Sequence, residues 1–158
     1  MKGLVKSFGY AFKGVWHAVK TGRNMRIHIT VLIYMYCYIG IYDFFSLSRA
    51  EIAITLLASA MVLSAECFNT ALERCVDLVT KEYRPLAKRA KDAAAGAVLL
   101  CAIFAVLVGI AVLGKPEYMR ELLNYYINNP LMLLVLLLSL IPAGCFIFLP
   151  GRKMQTEK

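Results

Sequence analysis

Four apolar stretches dominate this chain, at residues 27–48, 52–72, 93–113 and 131–149. Each is close to the roughly 20 residues that a helix needs to cross a bilayer. The last one, "LMLLVLLLSLIPAGCFIFL", has no polar face to turn toward water. Lipid offers the backbone no hydrogen-bond partner, so such segments are expected to be helices. Composition agrees. Of 158 residues, 60% are hydrophobic and only 18% charged, which is too little charge for a typical soluble domain. The expected fold class is all-α: a helical integral membrane protein with an N-terminal amphipathic surface helix, three core transmembrane helices and an extra fourth one.

The distribution of the net charge of +8 predicts orientation. Residues 1–26 hold six Lys or Arg, and residues 73–92 hold six more. The 43–51 connection has only Arg49, and 114–130 only Lys115 and Arg120. Basic loops stay cytoplasmic. The N-terminus and the 73–92 loop are therefore expected inside, with the other two connections outside. The tail "GRKMQTEK" returns inside, consistent with Arg152, Lys153 and Lys158. The basic excess reads as topology and contact with anionic lipid. Nucleic acid is not an expected partner, because no aromatic-basic RNA-binding motif is present. The five cysteines form no CxxC pair and mostly fall in apolar stretches, as small buried hydrophobes do. No signal peptide is expected: the basic start is too long and the first apolar run too large, so that run is retained as a span.

Residues 4–20 read as an amphipathic helix. Leu4, Phe8, Phe12, Val15 and Val19 fall on one face, while Lys6, Lys13 and Lys20 recur on another. "KTGRN" breaks this pattern. The second apolar stretch continues without Gly or Pro to about Val79, so the acidic residues that follow it are helical as well. Pro85 disfavours helix at Arg84. Ala93, Ala94, Ala95 and Gly96 permit close helix contact. Pro142 predicts a kink in the fourth span. The expected divisions are 1–26 for the surface helix, 27–113 for a three-span core and 114–158 for an extension with the fourth span.

The chemistry lies in "SAECFNTALERCVD", residues 64–77. At about 100° per residue, with Glu66 at 0°, Asn69 falls near 300°, Glu73 near 340° and Asp77 near 20°. The four share one stripe that descends from the membrane to its surface. A charge at the bilayer centre costs at least about 2.5 kcal/mol. An interhelical hydrogen bond would explain the amide, but three carboxylates in line repel unless something positive lies between them. Hard oxygen ligands suit Mg²⁺, which sits between one or two carboxylates and substrate phosphates. The following loop supplies Arg84, Lys88, Arg89 and Lys91. Together these features suggest phosphoryl transfer to a lipid hydroxyl. Neither GxxxxGK[ST] nor GxGxxG occurs, which excludes the usual nucleotide-binding folds.

"AECFNTALERCVDLVTKEYRPLAKRAKDAAAGAVL" (65–99) closely resembles the signature of the bacterial integral-membrane diacylglycerol kinase and undecaprenol kinase family. The pattern is E-x-x-N-[ST]-A-[IL]-E-x-x-V-D, then E-Y, then A-K-D and small residues. "GYAFKG" (9–14) and "RNMRIH" (23–28) also resemble that family, and the similarity covers about residues 5–113. "TALERCVDLVTKEYRPLAK" is more similar to the undecaprenol kinases of Gram-positive bacteria. The resemblance implies a homotrimer in the bacterial cell membrane, with active sites at subunit contacts near the cytoplasmic interface. It implies Glu66 as general base toward the lipid hydroxyl and Glu73 as the Mg²⁺-binding carboxylate. Asn69, Glu73, Asp77, Lys91 and Asp92 would line the ATP site, with Tyr10, Glu82 and Arg84 as weaker contacts. Arg26 would join Glu66 on the lipid side.

Two features depart from the family pattern. The family has T-E-R-N where this chain has "TGRN", so Gly22 stands in place of a glutamate that helps to hold Mg²⁺. Residues 114–158 add a span that the minimal family lacks. The leading expectation is an ATP- and Mg²⁺-dependent kinase of undecaprenol. The alternatives are a diacylglycerol kinase, a non-catalytic membrane subunit that lost its metal site, and a small transporter with an acidic relay.

Overall fold

The computed structural model describes residues 2–148, with side chains from Gly3 onward. Six helices follow one another: α1 (Lys2–Thr21), α2 (Arg23–Ile41), α3 (Arg49–Val79), α4 (Pro85–Leu113), α5 (Pro116–Asn128) and α6 (Pro130–Phe148). The basic tail with Arg152, Lys153 and Lys158 lies outside the described residues.

Local sequence sets the helix boundaries. Ser48 and Glu51 form a reciprocal capping box that starts α3. Arg84 is extended (φ −127°, ψ 127°) and Pro85 opens α4, as a residue before proline requires. Gly114 ends α4, where a Cβ would collide with the Ile110 carbonyl. Pro116 opens α5. α6 runs through Pro142 without a break.

α3, α4 and α6 are each long and apolar enough to cross a membrane. At about 1.5 Å per residue, the 31 residues of α3 extend about 46 Å, so one end projects well beyond a hydrocarbon core of about 30 Å. α3 and α4 are antiparallel and make the most extensive helix contact in the chain. α2, expected as the first span, does not reach the same apolarity. Arg23, Asn24, Arg26 and His28 occupy its first two turns, and three tyrosines follow. It also ends at Ile41, not at 48 as expected. In the apolar run "YDFFSL", Phe45 turns back to become buried against Tyr118 of α5, with ring centroids 5.1 Å apart. This tertiary contact outweighs helix continuation.

On α3 the buried face is largely polar and the exposed face apolar. The buried positions of α3 are Thr55, Ser59, Val62, Glu66 and Asn69, at alternating spacings of four and three. Ile54, Leu57, Met61 and Phe68 are exposed. Thr55 and Ser59 bond back to carbonyls one turn earlier, and Ser59 also meets the Tyr36 hydroxyl at 2.9 Å. Small hydroxyl residues on the buried face let helices approach each other inside a bilayer. Gly96 in the small-residue stretch of α4 does not serve this purpose among the described residues: a Cβ there would meet nothing within 4 Å. α1 docks only by its end. Ala18, Val19 and Met25 are buried together against Leu63 and Cys67, while Leu4, Phe8 and Phe12 remain exposed, as a helix lying in the interface requires.

Candidate active site

The site is built where α1 turns into α2 above the middle of α3. Gly22 makes that corner in extended conformation (φ −91°, ψ 115°). A Cβ there would sit 2.9 Å from the Ala18 carbonyl oxygen, 3.4 Å from Met25 Cβ and 3.8 Å from Glu66 Oε1. The corner is thus tight because position 22 has no side chain, and Glu66 lies directly beside it.

Glu66 is 3% exposed. Its carboxylate lies beside the Met25 backbone amide. The acid therefore faces the first turn of α2, where free amides and the helix dipole favour negative charge. Gly22 supplies no side-chain cap, so α3 caps α2 from outside. Glu66 Oε2 is buried with no hydrogen-bond partner among the described residues. One turn on, Asn69 Nδ2 donates to Glu73 Oε1 at 3.1 Å, while Asn69 Oδ1 is also buried without a partner. Further along, Lys91 of α4 pairs with Asp77. Depth along α3 thus orders a buried acid, an amide–carboxylate pair and an ion pair with α4.

A cleft of about 230 Å³ opens beside this line, between α2, α3 and α4. Asn24 and His28 of α2, Glu66 and Asn69 of α3, and Ala95 and Val98 of α4 line it. Asn24 and His28 were not among the expected site residues. Their spacing of four on a helix, just after the corner, is the signal that could have found them.

The other expected residues are not all brought to the cleft. Glu82 and Arg84 pair with each other at 3.2 Å in the exposed α3–α4 loop. Asp92 is exposed at the start of α4, and Tyr10 is 70% exposed on α1. Arg26 is buried, and its Nη1 donates to the Lys20 carbonyl at 3.3 Å. It braces the end of α1 instead of facing the lipid phase. His17 on α1 is held below the usual histidine range, first by burial and then by the nearby charges of Arg74 and Lys20.

Among the described residues, no three His, Cys, Asp or Glu side chains gather as a metal-binding group. Mg²⁺ does not require three, because it keeps waters and shares substrate phosphates. Glu66 Oε2 and Asn69 Oδ1 are acceptors without donors, both on the turns that precede Glu73 on one face. A buried acceptor without a partner costs about 1–3 kcal/mol. Hard oxygen donors that need positive charge fit Mg²⁺.

Residues 9–113 match the family model described as prokaryotic diacylglycerol kinase. A diacylglycerol kinase of Synechocystis sp. is 46% identical over 114 residues, covering 72% of this chain and 63% of that protein. The undecaprenol kinase of Bacillus subtilis is 40% identical over 108 residues, covering 68% of this chain and 85% of that protein. The diacylglycerol kinase of Escherichia coli is 30% identical over 108 residues, covering 66% of this chain and 83% of that protein. No solved structure matches. The matched residues run from α1 to the end of α4, so the helices that build the cleft carry the likeness and α5 and α6 stand outside it. The chain belongs to the prokaryotic diacylglycerol kinase family of membrane lipid kinases.

Proposed function

We propose that this protein transfers the γ-phosphoryl group of ATP to the hydroxyl of a membrane lipid alcohol, most specifically undecaprenol. The observation that carries this reading is the ordered line on α3: buried Glu66, then Asn69 with Glu73, then Asp77 with Lys91. A lipid hydroxyl meets the buried end of that line and a nucleotide the exposed end.

Glu66 Oε2 takes the proton of the lipid hydroxyl. The lipid oxygen then attacks the γ-phosphorus, the bond from that phosphorus to the β-phosphate oxygen breaks, and ADP leaves. The Met25 amide holds Glu66 in place and keeps it turned toward the cleft. Lys91 shifts from Asp77 to the phosphates and neutralises charge there, with Arg84 nearer the loop and Asp92 beside Lys91 on α4. Glu73, oriented by Asn69, would hold Mg²⁺, which would supply neutralisation of the phosphate charge. With Gly22 in the corner, position 22 would offer the ion no side-chain ligand.

This chemistry places the α1–α2 corner and the α3–α4 loop at the cytoplasmic face. α2, α3, α4 and α6 cross the membrane, which returns both termini to that face. A trimer gives the exposed apolar faces and the open side of Gly96 a partner. Residues 1–26 form the surface helix, 27–113 the core and 114–158 the extension.

Undecaprenol is favoured by the likeness to the Bacillus subtilis undecaprenol kinase across most of that protein. Diacylglycerol is the second reading, supported by the 46% identity to the Synechocystis protein. The test offers each alcohol to the purified protein in bilayers with labelled ATP. Faster phosphorylation of undecaprenol supports the first reading, and exclusive phosphorylation of diacylglycerol overturns it.

A further inference from the structure

α6 lies outside the family match and runs beside α2. Not one of its residues is buried, although one face of it turns toward α2. Tyrosines hold the two helices apart. Tyr34 OH meets Ser139 Oγ at 2.7 Å, and Tyr38 OH and Tyr42 OH meet Tyr126 OH of α5 at 2.8 and 2.9 Å. Between these bridges lies a groove of about 570 Å³, lined by Thr30, Tyr34 and Tyr38 on one side and Leu136, Ser139 and Phe146 on the other. The groove opens to the surroundings of α6, where a bilayer offers hydrocarbon chains and no water to fill it.

The occupant follows from the groove's dimensions and surroundings. Its walls are ring faces and apolar side chains, and a bilayer surrounds them. A helix from a second copy is about 10 Å wide with its side chains and cannot enter between helices bridged by a single hydroxyl–hydroxyl bond. An extended hydrocarbon chain can. The α2 wall, from Thr30 to Ile41, extends about 16 Å, or about half of a hydrocarbon core. Its lower end at Thr30 lies one turn from Ile27, which lines the Glu66 cleft. An alcohol whose hydroxyl sits at Glu66 would send its tail upward along α2. One groove holds one chain, which matches a polyprenyl alcohol and not a lipid with two acyl tails.

We infer that the α2–α6 groove binds the single isoprenoid chain of the alcohol substrate, so that the extension selects polyprenyl over diacyl lipids. This rests on the lipid kinase reading above.

The test is photolabelling of the full chain in phosphatidylglycerol bilayers with a diazirine-bearing long-chain polyprenol. Phosphorylation of a short-chain prenol is measured in the same samples. Label is expected within 30–41 and 132–146, competed by undecaprenol and not by diacylglycerol. Ala143→Trp or Leu136→Trp, which fill the groove from α6, should each cut labelling about tenfold, equivalent to about 1.4 kcal/mol. Both should leave short-chain phosphorylation unchanged, which also shows that the variants fold. Label on α4, equal competition by diacylglycerol, or unchanged labelling in both variants would overturn the inference. Groove labelling without any phosphorylation would sink the kinase reading and leave the groove assignment standing.

Discussion

Replacing Gly22 by glutamate tests the corner above Glu66 directly. The backbone there is extended, so any residue can adopt it and no conformational strain is added. The cost is spatial: the new Cβ lies 2.9 Å from the Ala18 carbonyl oxygen and 3.4 Å from Met25 Cβ. Overpacking of this kind costs about 1–3 kcal/mol, offset by about 0.4–1 kcal/mol from the less flexible unfolded chain. The charge cost is larger. Glu66 Oε1 is 3.8 Å from that Cβ, so the new carboxylate lies within about 5 Å of the old one. At an effective dielectric of about 20 the repulsion is about 3 kcal/mol. Without a divalent cation, Gly22→Glu should therefore lose about 3–5 kcal/mol of stability, whereas Gly22→Gln, of the same shape, loses about 1–2 kcal/mol. The difference of about 3 kcal/mol corresponds to a melting temperature lower by about 6–12 °C. Added Mg²⁺ should bind between the two carboxylates and close most of that gap. The assay is thermal unfolding of both variants in bilayers, with and without Mg²⁺. Equal melting of the Glu and Gln variants would refute the placement of the Glu66 carboxylate directly beside position 22.

Other consequences can be checked separately. Lys91→Met should change stability by no more than about 1 kcal/mol, because the Asp77–Lys91 pair is half exposed. It should raise the KM for ATP about 10–100-fold, as loss of a charged hydrogen bond predicts. Tyr34→Phe should cost about 0.6–1 kcal/mol, since Ser139 keeps its bond to the Leu136 carbonyl. The depressed pKa of His17 means that the unfolded chain binds its proton first, so stability is complete above pH 6.5 and falls as pH drops below it. The protection of the Ala18 and Val19 amides against exchange, corrected for the intrinsic pH dependence of the exchange rate, should fall on acidification, and His17→Gln should remove that dependence.

The sequence carried the site further than the packing. The stripe from Glu66 to Asp77 is one face of one helix, so its spacing alone placed it, and Arg84 with Pro85 fixed the turn that brings Lys91 back to Asp77. The turn at 42–48 was hidden because its cause, Phe45 against Tyr118, joins residues far apart in the chain. The bridges from α2 to α5 and α6 rest on single hydroxyl groups about 84–105 residues apart, which leave no periodic trace. The burial of Arg26 left no local trace either. An arginine at the foot of a span normally reaches lipid, but here the corner at Gly22 folds α1 over it. That same corner explains why Gly22, read only as a missing ligand, is also what lets Glu66 cap α2.

The central claim is that Glu66 activates a lipid hydroxyl for attack on ATP. It is tested most directly by measuring labelled phosphate transferred to undecaprenol by the native protein and by Glu66→Gln, with nucleotide binding followed in the same preparations. The account predicts transfer by the native protein only, with ATP bound by both. Full transfer by Glu66→Gln would contradict it, and so would the absence of any lipid phosphate from the native protein.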